Sequence, residues 1–493
     1  MPSEYKRRID LRFILSIAAC GIMSFSGVVV ETAMNITFPA LMSEFSVDTA
    51  TVQWITTGYL LVLSIIMPVS ALLKRRFRSQ HLFIAAIALF ITGTLLCACA
   101  PVFPLLVAGR IVQGIGTGIA LPLMFNIVIE QSPIDKIGLM MGVATLITAT
   151  APAVGPSVGG LVVTMWGWRA IFLVLLPFLA LSAVMGITCI RQVGETKPVK
   201  FRPAQFLALA GAFACLIFAT SSASTAGWLS AQVLALVALF VLLIGLFAKL
   251  SIGSDAPLVR IEIFKTKPFT LSVLYMVLFQ GIVLGMGYLI PYYAQEVGGY
   301  NEFMAGCLLL PGCIIGAILA PMGGRLLDVF GARKPITAGA ILQFVALVCF
   351  TLFAVGGDPV LFALIYLIVP ISQGFSMANS MTNGLSYLPQ NLKTDGNAAF
   401  NTLQQLGGAL GTAVATSVMN MAQASVPGDL YSGTLLGTHT AFLVLLGASA
   451  VAMVLAISVF VVQKKGRKGK ASAPASAQDA SAQNAPVRTG DKA

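Results

Sequence analysis

Long apolar runs dominate the chain, and charged residues, prolines, glycines and polar clusters separate them. A helix needs about 20 mostly apolar residues to cross the hydrocarbon core of a bilayer. Runs of this length predict fourteen helices, near residues 13–41, 50–73, 82–100, 102–130, 137–164, 169–191, 204–222, 229–250, 268–294, 303–327, 336–356, 359–388, 397–424 and 437–463. The pattern therefore predicts an all-α integral membrane protein, and the even number of spans places both termini on one side.

Composition supports a membrane protein, because 57% of the 493 residues are hydrophobic and only 10% are charged. A soluble domain carries roughly 25% charged residues, so this chain could not cover a water-facing surface. We expect the N-terminus to be retained as an uncleaved anchor, since no small-residue cleavage site precedes the first predicted span. The eight cysteines lie in apolar runs without metal-ligand spacing, which indicates packing rather than a metal site.

Basic residues test the predicted topology independently. With a cytoplasmic N-terminus, all 30 Lys and Arg residues except Arg110 and Arg169 fall on cytoplasmic segments, as the positive-inside rule requires. The net charge of +12 then faces anionic lipid, and no nucleic-acid partner is needed to explain it. We therefore expect a multi-pass protein of the cell membrane with both termini in the cytoplasm. The Ala-, Ser-, Pro- and Gln-rich residues 464–493 predict a disordered cytoplasmic tail.

A weak internal repeat divides the chain. Residues 70–77 resemble residues 324–331, and Gln113-Gly114 has an echo in Gln373-Gly374. Such repeats generate alternating access around a midplane site. The predicted organisation is a cytoplasmic N-terminus, a six-helix bundle, two inserted helices, a second six-helix bundle and the tail, at residues 1–12, 13–191, 204–250, 268–463 and 464–493.

Glu31 is the acidic residue that lies well inside an apolar run, on one helix face with Ser24, Gly27 and Asn35. A charge at membrane depth costs about 2.5–3.5 kcal/mol, so such residues usually face a cavity and serve a function. The group could take up a proton on one side and release it on the other, or exchange it for a bound cation. The alternative is an interfacial carboxylate near the outer headgroups.

Arg110 is the deep cation of the sequence, and Gln113 and Thr117 share its helix face. A guanidinium does not release its proton in proteins, so Arg110 could polarise a carboxylate or water but could not carry the proton. The alternative is a side chain that extends towards a lipid headgroup.

The fifth predicted helix contains two prolines and a G-x-x-x-G pattern at Gly155 and Gly159, followed by Gly160. Prolines bend a helix by removing backbone donors, and G-x-x-x-G permits close contact with another helix. The segment predicts a hinge or seal, with packing alone as the alternative.

These motifs resemble the major facilitator superfamily. Leu105–Gly116 is similar to its helix-4 motif, whose arginine is implicated in proton transfer, and Gly155-Pro156 with Gly159-Gly160 resembles the helix-5 motif of its drug antiporters. Residues 54–61 and 401–408 resemble the fourteen-helix drug:proton antiporter group, and the resemblance spans residues 10–463.

The chain departs from that group at two places. Glu31-Thr32 stands where the group usually has Asp-x-Thr, and this version resembles the lincomycin-resistance-type branch. The loop motif after helix 2 has Ser70 and Lys74 in place of glycine and aspartate. The intact copy follows helix 10, so a cytoplasmic latch is expected in the C-terminal half, at Gly324, Asp328, Gly331 and Arg333.

The C-terminal half offers neutral polar groups instead of deep charges. Apolar walls with a few polar groups suit drug-sized ligands. The substrate-binding candidates of the whole chain are Asn35, Gln113, Gln280, Tyr288, Asn379, Asn383, Asn401 and Gln404. Ordinary hydrogen bonding between helices is the alternative.

The sequence thus favours a monomeric antiporter that exports hydrophobic or amphipathic compounds in exchange for protons. No phosphate-binding loop and no cluster of catalytic side chains is present, so we expect neither an ATPase nor another enzyme, and no cofactor beyond the proton gradient. The alternatives are a symporter that imports a small metabolite or anion, a membrane receptor or scaffold, and a membrane enzyme.

Overall fold

The computed structural model describes residues 9–47, 49–52, 54–193, 196, 201–254, 257–354, 358–426 and 428–471. Within these ranges the chain is helical and has no strand. The helices of the described chain are α1 (Leu11–Ala33), α2 (Phe38–Phe45), α3 (Thr49–Val52), α4 (Trp54–Arg76), α5 (Ser79–Ala98), α6 (Phe103–Gln131), α7 (Ile137–Trp166), α8 (Arg169–Cys189), α9 (Pro203–Ala226), α10 (Ala231–Ser251), α11 (Lys267–Glu296), α12 (Glu302–Cys307), α13 (Leu310–Phe330), α14 (Arg333–Cys349), α15 (Pro359–Tyr366), α16 (Ile368–Ser386), α17 (Lys393–Ser425) and α18 (Leu430–Ala471).

Thirteen helical segments of the described chain are long and apolar enough to cross a membrane. The prediction of an all-α membrane protein is therefore confirmed. The run predicted at 397–424 forms the 33-residue helix α17, which is not among the thirteen because amides, hydroxyls and glycines dilute its apolar residues. The predicted disordered tail lies outside the described residues, apart from the last turns of α18.

Three predicted helices are divided in the structure. The run 13–41 ends as α1 at Ala33, continues as a 3-10 turn at Met34–Thr37 and restarts as α2. Pro39 lies in the first turn of α2, where a missing backbone N–H costs nothing. The runs 303–327 and 359–388 are likewise divided, into α12 with α13 and α15 with α16.

Two helix pairs make the largest contacts between the α1–α8 part of the chain and the α11–α18 part. Helix α7 packs along α13, and α4 packs against α17. Helices α9 and α10 pack on each other, and α9 also contacts α4 and α17. The central faces of these helices enclose the site described below.

The bundle has two ends, which we name by their residues. The basic end holds Arg75, Arg191 and Arg260, the start of α1 and α11, and the last turns of α4 and α13. The far end holds the C-terminal ends of α1 and α11, because each of these helices runs the length of the bundle from the basic end.

Candidate functional site

A cavity of about 900 Å³ lies at the centre of the bundle, bordered by α1, α4, α6, α7, α9, α11, α13, α16 and α17. It extends from Leu121 and Phe125 on α6 to Gln295, one residue before the end of α11. The cavity therefore opens towards the far end and has its floor towards the basic end. Its volume and mostly apolar lining are typical of sites for drug-sized molecules.

Glu31 borders this cavity in the last turn of α1. Its Oε2 atom is buried and accepts no hydrogen bond. Among the described residues that border the cavity, Glu31 is the one acidic residue, and none is a lysine or an arginine. A desolvated carboxylate oxygen without a partner is costly, so the group is suited to accept a proton or a cationic ligand.

Arg110 is fully buried inside the bundle, on α6, so it does not extend towards a headgroup. Its Nη1 donates to Gln113 Oε1 at 2.8 Å, its Nε donates to the Ile55 carbonyl at 3.4 Å, and its guanidinium carbon lies 4.1 Å from the ring centre of Tyr59. Its Nη2 is buried without a hydrogen-bond partner. The cation is thus held in place by one amide, one carbonyl and one aromatic face.

Helix α1 touches this arrangement one turn before Glu31. The Tyr59 hydroxyl donates to Thr117 Oγ1 at 3.0 Å, and a Cβ atom on Gly27 would lie 2.7 Å from Thr117 Oγ1 and 2.9 Å from the Tyr59 hydroxyl. Only a glycine permits this approach of α1 to α4 and α6. Glu31 and Arg110 interact electrostatically across the contact. The structure therefore brings the two predicted proton-coupling residues into one region.

The G-x-x-x-G face of α7 packs against the same part of α1. A Cβ atom on Gly155 would collide with the Thr32 hydroxyl, and one on Gly159 would lie 2.6 Å from the Ala33 Cβ. The Gly160 carbonyl accepts a hydrogen bond from Thr164 Oγ1 at 2.8 Å. These two glycine contacts set the position of the α1 turn that carries Glu31.

Two predicted residues of this region have side chains outside the described part of the structure, Asn35 and Pro156. Their backbone lies in the turn after α1 and in α7, respectively.

Four of the predicted substrate-binding residues border the cavity: Gln280, Tyr288, Asn401 and Gln404. The Gln280 Oε1 atom is buried without a hydrogen-bond partner, and the Tyr288 ring stacks on Tyr292 with centroids 5.5 Å apart. Helices α11 and α17 thus line the cavity with amides and an aromatic face, across from α1, which carries Glu31.

The other three, Gln113, Asn379 and Asn383, are buried away from the cavity lining. Gln113 links Arg110 to Thr94, since its Nε2 donates to Thr94 Oγ1 at 2.8 Å. Asn379 donates to the Gly323 carbonyl at 2.9 Å and so joins α16 to α13. A shared helix face in the sequence does not show which neighbour that face will meet.

Sequence reasoning missed the hydroxyl groups of the cavity. Threonines from five helices border it: Thr32, Thr56, Thr57, Thr145, Thr148, Thr150, Thr220, Thr412 and Thr416. Several of these hydroxyls bond to a carbonyl of their own helix, as Thr416 does to Thr412 at 2.9 Å. Because such a hydroxyl is already hydrogen-bonded, a threonine can lie in an apolar helix without a partner elsewhere, and it does not stand out in the sequence. The recurrence of hydroxyls along α4 and α17 was the one sequence feature that indicated a polar cavity wall.

At the basic end, Asp328 joins α13 to the start of α7. Its two carboxylate oxygens accept hydrogen bonds from the backbone N–H groups of Gly138 and Leu139, each at 3.0 Å. The first backbone N–H groups of a helix lack intrahelical partners and favour an anion. Gly324 and Gly138 are so close that a Cβ atom on Gly324 would collide with the Gly138 carbonyl oxygen.

The rest of that loop motif plays a local part. Gly331 ends α13 with φ +75°, a conformation that other residues rarely adopt. Arg333 is exposed at the start of α14.

A second junction at the basic end was not predicted. Arg75 pairs with Asp395 at 3.3 Å, and its Nη2 donates to the carbonyls of Pro257 at 2.7 Å and Leu258 at 3.1 Å. The neighbouring Lys74, which stands where the loop motif usually has aspartate, pairs with Glu130 at 3.0 Å. The reversed charge is therefore matched by an acidic partner on α6.

An amide ladder lies between this junction and the cavity floor. Asn397 donates to the Pro122 carbonyl and to Asn126 Oδ1, both at 2.9 Å, and Asn401 donates to Asn397 Oδ1 at 2.8 Å. The ladder connects α17 to α6 immediately below the floor residues. Together with the Asp328 and Arg75 contacts, it closes the basic end.

The far end has its own polar cluster. Arg169 Nη1 pairs with Glu44 Oε1 at 2.7 Å, and the Trp168 indole donates to Glu44 Oε2 at 2.7 Å. The Trp168 hydrogen bond, with the Arg169 hydrogen bond and charge beside it, holds the pKa of this exposed Glu44 below its ordinary value of 4.5, although some desolvation acts in the opposite direction.

Comparisons with known proteins agree with this architecture. Residues 17–412 match the Major Facilitator Superfamily. The chain is 36% identical to the lincomycin resistance protein LmrB of Listeria monocytogenes over 423 residues, which cover 86% of this chain and 90% of that protein. It is 26% identical to the multidrug resistance protein B homolog of Mycobacterium tuberculosis, covering 83% of this chain and 77% of the relative.

A solved structure shows the same fold. The crystal structure of the human organic anion transporter MFSD10 (TETRAN) superposes with a TM-score of 0.62 and 13% identity, over 90% of this chain and 99% of that one. The fold and the comparisons define a multi-pass membrane transporter. The chain belongs to the major facilitator superfamily, and the resemblance to its lincomycin-resistance-type multidrug exporters is confirmed.

Proposed function

We propose that this transporter is a proton-coupled antiporter that exports hydrophobic or amphipathic compounds across the cell membrane. The observation that carries the proposal is Glu31, the one acidic or basic residue among the described residues that border a drug-sized cavity of about 900 Å³. The names of the relatives, which refer to lincomycin and multidrug resistance, support export of such compounds.

Glu31 is the group that exchanges its proton for substrate in this mechanism. An ionised carboxylate is costly here, because its Oε2 atom is buried and has no hydrogen-bond partner. Either a proton or a cationic substrate would neutralise it, so the two can replace each other. Arg110 stays charged and biases that exchange from one turn away through the Gly27 contact. The glycine contacts of α7 fix the carboxylate's position.

The closed basic end supports a mechanism of alternating access. The positive-inside rule favours a cytoplasmic location for both termini and for the basic end, so in this proposal the cavity faces outwards. Opening inwards requires the Asp328 contact, the Arg75–Asp395 pair and the amide ladder to separate. The moving units in this proposal are the predicted six-helix bundles, residues 13–191 and 268–463, with residues 204–250 inserted between them and α17 as the fourteenth span.

The energy source is the proton gradient, and the proposed working unit is a monomer in lipid that needs no cofactor. Import of a small metabolite or anion by symport is less well supported. Such a substrate would require charged or strongly polar groups to bind it, whereas the described cavity offers one carboxylate among amides, hydroxyls and apolar side chains.

The test uses everted membrane vesicles that contain the protein, a transmembrane pH gradient, and lincomycin or ethidium as the probe. Addition of a transported compound should release protons from the vesicle interior. Glu31→Gln should abolish this release while the protein stays folded and inserted. Glu296→Gln, which removes an exposed carboxylate at the same end of the bundle, should leave it unchanged. Normal proton release by Glu31→Gln would remove Glu31 from the mechanism, and no release with any compound would refute proton-coupled export.

A further inference from the structure

Helix α9 lies beside the junction between the two parts of the bundle. It contacts α4 on one side and α17 on the other, whereas its partner α10 buries little beyond Val233, Phe247 and Ser251. Ile217 and Thr220 of α9 border the central cavity together with residues of α4 and α17. The α9–α10 pair is therefore more than an outer layer in contact with lipid.

Several contacts hold α9 in this position. Near the basic end, Gln205 Oε1 accepts a hydrogen bond from the Leu258 N–H and its Nε2 donates to the Leu250 carbonyl, each at 2.8 Å. The segment after α10 is in turn bound by Arg75 through the Leu258 carbonyl and by Asp395 through the Arg260 N–H at 3.2 Å. The α9–α10 pair is thus fastened to both α4 and α17.

A second contact fixes α9 nearer the far end. The ring of Phe218 lies 5.3 Å from the ring of Trp54, at the start of α4. Aromatic pairs at this distance stabilise a contact beyond the area they bury. Since both ends of α9 are tied to its neighbours, its cavity-facing residues have a defined place relative to α4 and α17.

We propose that α9 forms part of the substrate-binding wall and that Thr220 and Ile217 help to determine which amphipathic compounds are carried. The Thr220 hydroxyl donates to the Ile217 carbonyl at 2.9 Å within the helix, so it seeks no partner in the cavity. This patch of wall suits the apolar body of a substrate, and its volume limits the width of that body. The inference rests on the proposed export function and extends it to the residues that select the substrate.

The first experiment measures selectivity in cells that express Thr220→Trp. The probes are tetraphenylphosphonium, which is broad, and a linear alkyltrimethylammonium, which is narrow. The larger side chain should narrow the cavity and reduce efflux of the broad cation by about tenfold or more. Efflux of the narrow cation should change much less. Leu239→Trp, an exposed position on α10, is the matched control and should leave both unchanged. An equal loss for both probes, or no change for either, would overturn the proposal.

The second experiment does not depend on transport. Intact cells that express Thr220→Cys are treated from outside with a membrane-impermeant cationic thiosulfonate. The labelling of the parent chain, which has eight cysteines of its own, is subtracted. Thr220→Cys should react at a rate similar to Thr412→Cys, a cavity position on α17, while Leu239→Cys should stay unlabelled in lipid. If Thr220→Cys is labelled but no compound is exported, the proposed export function is refuted, whereas the placement of Thr220 on the cavity wall stands. If Thr220→Cys is not labelled, its placement on the cavity wall is refuted.

Discussion

Arg75 and Asp395 form an ion pair at 3.3 Å that joins the last turn of α4 to the first turn of α17. The Asp395 side chain is completely buried, and Arg75 also binds two carbonyls of the segment after α10. One arginine therefore ties three parts of the chain together at the basic end.

Asp395→Asn should weaken this junction and shift the protein towards states that are open at the basic end. Removing one partner of a buried pair costs up to about 3–5 kcal/mol, because the remaining charge loses its compensation. Spin labels at Arg78 and Gln390, two exposed positions at this end, should report a larger population at long distance. Arg76→Gln removes an exposed neighbouring charge and should not change the distribution. An unchanged distribution in Asp395→Asn would show that the pair does not hold the end closed.

Lys74→Asp should impair the protein, although it restores the charge usual for the resembled loop motif. The new carboxylate would face Glu130, whose oxygen lies 3.0 Å from the lysine nitrogen, and like charges in a poorly solvated site repel strongly. Thermal stability in detergent and efflux should both fall, and the swap Lys74→Asp with Glu130→Lys should restore part of each. Lys74→Met keeps most of the length of the side chain without placing a second carboxylate beside Glu130, and should be milder. Wild-type stability of Lys74→Asp would contradict this account.

Gly155→Ala should reduce efflux by displacing the α1 turn that carries Glu31. The added methyl group would collide with the Thr32 hydroxyl and lie 2.9 Å from the Val29 carbonyl oxygen. Overpacking of this kind costs about 1–3 kcal/mol. Gly245→Ala is the matched control, because no atom lies within 4 Å of its added methyl group, and it should be neutral or slightly stabilising. Equal behaviour of the two variants in unfolding and efflux assays would dismiss the contact as unimportant.

Arg110→Lys should lose proton-coupled efflux although it keeps the positive charge. An ammonium cannot bind Gln113 and the Ile55 carbonyl while it also lies flat on Tyr59. A hydrogen bond to a charged group is worth about 1.5–3 kcal/mol. The expected loss in rate is therefore about tenfold or more. Tyr59→Phe retains the aromatic face and loses only the hydroxyl, so its efflux should fall less. Full activity of Arg110→Lys would show that charge alone is sufficient.

Acid should weaken the cluster around Glu44 at the far end. Its pKa lies below the ordinary value of 4.5 in the folded protein, mainly because of the Trp168 hydrogen bond and then the Arg169 interactions. A lowered pKa stabilises the fold above the unfolded pKa, and this contribution disappears as the pH falls through the folded pKa. The melting temperature should therefore drop more between about pH 6 and pH 3 for the wild type than for Glu44→Gln. A parallel decline in the two proteins would exclude this contribution.

Much of the fold could be predicted because apolar runs of bilayer length leave little choice of structure. The divided helices show where that reasoning fails, since Pro39 can start a new helix as readily as it can bend an old one. The sequence predicted helix α17 from the residues that flank it, although its many polar residues keep it out of the thirteen apolar spans.

The site was predictable where a residue contradicts its surroundings. Glu31 and Arg110 stand out as charges in apolar runs, and the structure places both near one contact of α1. Arg75 and Asp395 are 320 positions apart and sit among the ordinary charges of helix ends, so nothing in the sequence pairs them. The cavity threonines were not predicted, because most of their hydroxyls bond to carbonyls of their own helices.

The backbone contact between Gly138 and Gly324 has a consequence for how such a protein can change under selection. Any side chain at either glycine would meet main-chain atoms of the other helix, so neither position can be varied to suit a new compound. The cavity threonines and the α9 wall carry no such restriction. Variants selected for resistance to unfamiliar compounds should therefore accumulate around the cavity, while the glycine pair stays unchanged from one lineage to the next.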